Sequence, residues 1–62
     1  MSLEDQLMQN TRELQDVNLD RERLSATRLA LWRALREQGV PDAHIAFLSG
    51  FKGPMMVTRA LK

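Results

Sequence analysis

Leu24–Gln38, LSATRLALWRALREQ, is the stretch from which the fold of this 62-residue chain is read. Leu24, Leu31 and Leu35 form one apolar stripe, Leu29 and Trp32 a second, and Ala26, Ala30 and Ala34 fill the space between them. Spacings of three, four and seven place each stripe along one side of an α-helix. The combined arc is wider than a coiled-coil seam, so this helix is expected to meet partners on two sides. Alanine, leucine, arginine, glutamate and glutamine dominate, with no glycine or proline inside, and all five favour helix. Gly39 suits the left-handed position after a helix end and Pro41 cannot continue the helix, so the stop is well marked.

Working back from that stretch, Ser2 followed by Leu3-Glu4-Asp5 reads as a helix start. Its hydroxyl can cap the first turn, where the helix dipole favours the two carboxylates. A four-three apolar repeat then runs through Leu3, Leu7, Asn10, Leu14, Val17, Arg21, Leu24, Arg28, Leu31, Leu35 and Gln38; seven of these eleven positions are apolar. This is a coiled-coil signal with polar layers in it. Two topologies satisfy it. One is a single helix over residues 2–38, roughly 55 Å long at 1.5 Å per residue, paired with a second chain. The other is a hairpin that turns near Asn18-Leu19-Asp20, with Asn18 ending one helix and Asp20 capping the next. Both give the same antiparallel layers: Leu3 with Leu35, Leu7 with Leu31, Asn10 with Arg28, Leu14 with Leu24. The absence of glycine and proline from the joint tips the expectation toward the long helix. Parallel pairing would oppose Arg21 to Arg21 and Arg28 to Arg28, which is costly.

Composition narrows the function. A chain this short buries only about 60% of its unfolded surface and is marginal alone. It has no cysteine, hence no disulfide and no thiolate metal site, and its single histidine, His44, has no sequence-local partners for a metal. Oligomerisation is the remaining support. A homodimer is therefore expected, with Leu3, Leu7, Leu14, Val17, Leu24, Leu31 and Leu35 as its dimerisation residues. No apolar run reaches the roughly 20 residues that a membrane helix needs, and MSLEDQ is acidic where a signal peptide is basic, so a cytoplasmic protein is expected. The net charge is +1, unevenly placed. Residues 1–20 carry Glu4, Asp5, Glu13, Asp16 and Asp20 against Arg12, whereas residues 21–62 carry eight basic residues against Glu22, Glu37 and Asp42. The basic half could meet an anionic partner, and mutual neutralisation of the halves explains the pattern equally well.

After Pro41, Asp42 is expected to cap a short helix, Ala43 to about Leu48. Ser49-Gly50-Phe51-Lys52-Gly53 is then a turn with Gly50 left-handed, and Pro54 opens a last helix reaching Leu61. Ala46 on the first of these helices, Gly50 four residues later in the turn, and Met56 or Val57 on the second form a pattern that resembles the helix-turn-helix of DNA-binding regulators. The preceding ALREQGVPDAHIA also resembles the helix and tight connection that lead into that motif. The resemblance implies that Pro54–Lys62 is a recognition helix in the major groove, with Lys52, Thr58, Arg59 and Lys62 as DNA-binding residues. Without it, the two short helices simply fold back over Trp32 and Leu29.

The remaining features read plainly. His44 is a surface or capping residue, since no nucleophile or carboxylate is placed to partner it in catalysis. Met55 and Met56 read as core filler, and Arg33, Arg36 and Glu37 as a solvated helix face. Gly50 and Gly53 form no phosphate loop. The sequence thus predicts an all-α protein and a single small helical domain over residues 1–62. Residues 2–38 form its coiled-coil dimerisation helix (or a helical hairpin), and residues 42–62 a helix-turn-helix-like pair. Neither an enzyme, nor a cofactor, metal or small-molecule substrate, is indicated. Two functions compete: a small dimeric DNA-binding, transcription-regulating protein, and a protein-interaction module. The second would be an adaptor or an inhibitor of another regulatory protein, acting through its coil or its C-terminal apolar surface.

Overall fold

Ser2 starts the first helix by accepting the Asp5 backbone N–H on its hydroxyl at 3.1 Å, which satisfies one of the donors a helix start leaves open. In the computed structural model, which describes residues 2–16 and 20–61, helix α1 spans Leu3–Leu14, with Glu4 and Asp5 in its first turn. It closes at Gln15, whose N–H donates to the Arg12 carbonyl at 3.1 Å, while the Asp16 N–H donates to the Glu13 carbonyl at 3.0 Å. Asp20 begins α2 (Arg21–Glu37) by accepting the Arg23 N–H at 3.1 Å. The described residues therefore form two helices, the hairpin alternative, rather than the single helix toward which the joint tipped the expectation. A single helix over residues 2–38 needs about 55 Å, and the longest extent of the molecule is 32 Å. The physical reason is that folding back buries Leu7, Leu24, Leu31 and Leu35 within one chain, without the entropy loss of associating two. Asn18, proposed to end the first helix, and Val17, assigned to the seam, lie outside the described residues, as does Leu19.

The two arms share one core. Leu7, Leu31, Trp32, Leu35, Ile45, Ala46 and Val57 form a buried cluster, and Leu3, Leu29, Val40, Leu48, Phe51 and Leu61 pack against it. Leu24 is also buried. The expected Asn10–Arg28 layer is replaced. The Asn10 side-chain amide donates to the Leu24 carbonyl at 2.9 Å, while Arg28 lies over the rings of Trp32 and Phe51. Across the molecule, the one proton of the Thr11 hydroxyl is shared between Leu7 O at 2.9 Å and Leu48 O at 3.0 Å, which ties α1 to the end of the third helix.

Both helix ends that follow are closed in the same way. Gly39, at φ +87°, donates to Arg36 O, and Val40 donates to Leu35 O. Gly50, at φ +83°, donates to Phe47 O, and Phe51 donates to Ala46 O. These are Schellman closures, each placing an apolar residue, Val40 or Phe51, back onto the core. Helix α3 spans Asp42–Leu48 with Pro41 at its cap position and no side-chain cap. Asp42, expected as the cap, is instead the first helical residue, and its carboxylate is used elsewhere. Helix α4 spans Met55–Ala60, directly after Pro54. All described secondary structure is helical.

Candidate functional site

Three features hold α4 in place. Val57 is its single fully buried side chain. The Thr58 hydroxyl donates to Asp42 Oδ2 at 2.9 Å, joining α4 to the start of α3. Arg36, at the end of α2, donates from Nη1 to the Leu61 carbonyl at 3.0 Å and lies 3.5 Å by Nε from Asp42 Oδ1. Arg36 lies on the exposed face expected of it and also clamps two segments, while Asp42 serves both Arg36 and Thr58. An exposed pair of this kind adds little stability, about 0–1 kcal/mol. Its consequence is positional: it fixes which face of α4 turns inward.

The face left outside is apolar. Met55 and Met56 are 63% and 53% exposed, so the reading of this pair as core filler is corrected. A six-residue helix resting on one buried valine has no second layer to cover them. Together with Phe51, Gly53 and Pro54 they line an open groove of about 690 Å³, whose remaining lining comes from Lys52, Thr58 and Arg59. That volume falls within the range of small-molecule pockets, about 300–1,000 Å³, but the groove is open to solvent. Two of the lining residues are cations and none is an acid.

Of the residues predicted to contact DNA, Lys52, Thr58 and Arg59 share this groove, and Lys62 lies outside the described residues. At the apolar position of the last helix the inward residue is Val57 rather than Met56, and Ala46 is buried against the core. Of the residues assigned to dimerisation, Leu7, Leu24, Leu31 and Leu35 are buried within one chain and Leu3 packs against the core. Leu14 is half-buried.

Sequence reasoning missed the floor beneath the groove. The Trp32 indole N–H donates to Ser49 Oγ at 2.8 Å, and that hydroxyl donates to Ile45 O at 2.9 Å, so α3 and the following turn do cover Trp32. Phe51 meets Trp32 edge to face, with centroids 6.0 Å apart and planes at 72°. The Arg28 guanidinium sits 5.1 Å from the Trp32 centroid and 5.6 Å from that of Phe51. Partial burial, and secondarily the charge of Arg21, lower its pKa from the usual arginine value, yet a guanidinium keeps its proton in proteins. Phe51 therefore has two roles, one edge in the core and another in the groove. The signal for this was present as the position after a helix-ending glycine.

Elsewhere, the exposed His44 approaches Glu4 at 2.8 Å, linking α3 to α1. Asn10 is buried, with Oδ1 lacking a hydrogen-bond partner among the described residues. No cluster of three or more His, Asp or Glu residues suited to a metal occurs among the described residues, and none of the described helices is long and apolar enough to cross a membrane. No protein-family model, curated protein or solved structure matches the chain. The functional reading therefore rests on the chemistry of the groove.

Proposed function

We propose that this chain is a protein-interaction module that receives part of a partner in the groove beside α4. The observation that carries this reading is the exposure of Met55 and Met56 on a helix held in place by Val57, Thr58 and the Arg36 clamp. A small protein seldom leaves adjoining large apolar side chains in water without a use for them. Methionine suits that use, because its flexible, polarisable side chain adapts to different partners. The reading places the protein among adaptors or inhibitors of other regulatory proteins, in a cytoplasmic setting. A monomer suffices for it; a homodimer built on the seam leucines requires the hairpin to open and re-form the same layers between two chains.

DNA binding is the second reading, favoured by one observation: Lys52, Thr58 and Arg59 share a surface. Two features weigh against it. The Thr58 hydroxyl proton is already given to Asp42, so it is not free to donate to a phosphate. The groove walls are methionine, phenylalanine and proline, which contribute nothing to phosphate contact.

Selection of a displayed helical-peptide library on the wild-type protein, with counter-selection on Met55→Asp/Met56→Asp, tests the first reading. Binders that require the two methionines are expected. Duplex binding at two salt concentrations tests the second. Steeply salt-dependent DNA binding, with no methionine-dependent peptides, overturns the interaction-module reading.

A further inference from the structure

We infer that the partner segment is an acidic amphipathic helix, with apolar side chains seated among Phe51, Met55 and Met56 and carboxylates facing Lys52 and Arg59. This inference rests on the interaction-module reading and specifies its ligand. Charge supplies the first argument. The groove carries two cations and no acid among its lining residues, whereas the whole chain is nearly balanced at +1. A cationic rim about an apolar floor favours a ligand with the complementary arrangement and disfavours a basic one. The Asp42 carboxylate, which accepts from Thr58, is paired with Arg36 at 3.5 Å, so its charge is countered within the chain.

Shape supplies the second. The site is a concavity bounded by α4 and the 51–54 turn, and the described residues offer no strand edge on which an extended peptide could add. A short apolar groove of this kind accepts anchors at i, i+3, i+4 and i+7 of a helix. A lipid surface asks for the reverse, a convex apolar face that enters the bilayer boundary. A second copy of the chain docking groove to groove would set Lys52 and Arg59 against their own kind. A peptide helix is the occupant that both charge and shape admit.

The test uses the full chain labelled at its methionine methyl groups and followed by NMR. The probes are three synthetic peptides with leucines at i, i+3, i+4 and i+7. They differ only in flanking residues, which are glutamate, lysine or glutamine. The glutamate peptide is expected to shift the Met55 and Met56 methyls and leave Met8 on α1 unmoved, and to bind at least tenfold more tightly than the lysine peptide. Its affinity should fall as salt rises. Lys52→Glu/Arg59→Glu should reverse the order of the peptides. Lys52→Gln/Arg59→Gln, a milder change at two exposed positions, should remove the preference.

Equal binding of all three peptides overturns the acidic partner while leaving the groove as an interaction site. Failure of every peptide to move the Met55 and Met56 methyls overturns both proposals. Shifts produced only by vesicles of phosphatidylserine and phosphatidylcholine replace the helix with a lipid surface. Shifts produced by concentrating the protein alone replace it with a second copy of the chain.

Discussion

The α1–α2 seam and the surface of α4 are built from similar apolar residues, but Leu7 and Leu35 are fully buried while Met55 and Met56 remain more than half exposed. Helix length and neighbours account for the contrast. Helices of 12 and 17 residues lie side by side and cover each other's stripes. Helix α4, with six residues, buries Val57 alone, and no described residue covers Met55 and Met56. An apolar residue at helical spacing is thus core only when a second element is positioned to cover it. Met55 and Met56, at helical spacing but with no described element over them, stay exposed.

If the seam supplies the stability and the α4 surface does not, substitutions in the two regions should separate sharply. The largest effect is expected in the seam. Leu35→Ala removes a fully buried side chain and should cost about 2–5 kcal/mol. For a domain this small, with stability near the lower end of about 5–15 kcal/mol, much of the helical circular dichroism should be lost near physiological temperature. A variant that melts close to the wild type would move Leu35 out of the core.

Asn10 sharpens the comparison from the other direction, because it is a polar residue on the buried side. Its Oδ1 is buried with no hydrogen-bond partner among the described residues, and an unmet acceptor costs about 1–3 kcal/mol. Asn10→Leu is therefore expected to raise the melting temperature by several degrees, at about 4–8 °C per kcal/mol for a chain of this size. A lower melting temperature would show that the bond from Asn10 to the Leu24 carbonyl outweighs the stranded oxygen.

Arg28 joins the two regions, since its guanidinium covers both Trp32 and Phe51. Arg28→Ala should lower stability by about 1 kcal/mol, through the lost cation–π contact and the packing of its stem, and should red-shift Trp32 emission as the ring meets water. Unchanged emission would place Arg28 away from the indole.

Much of this arrangement was legible in the sequence, and the reasons for the rest are specific. The ends of α2 and α3 were readable because Gly39 and Gly50 each follow the last apolar-periodic residue and both take positive φ. Asp20 as a cap was readable from its residue type. The choice between one helix and two was not, because the four-three repeat is satisfied equally by contacts within a chain and between chains, and the joint lacks glycine and proline. Arg36, Asp42 and Thr58 could not be assigned in advance. The bonds from Thr58 to Asp42 and from Arg36 to Leu61 span 16 and 25 residues, and local spacing carries no record of that. The methionines were misread for a related reason: periodicity marks a face as apolar without saying whether anything lies opposite it.

The smallest expected effect is also the most direct test of the division between a closed seam and an open surface. Thermal unfolding of Met55→Gln/Met56→Gln should leave the melting temperature within about 3 °C of the wild type, because glutamine matches methionine in helix propensity and both side chains already meet water. A fall of 10 °C or more, comparable to the loss of a core leucine, would mean that the two methionines are packed inside, and the account of the α4 groove as a surface for a partner would be contradicted.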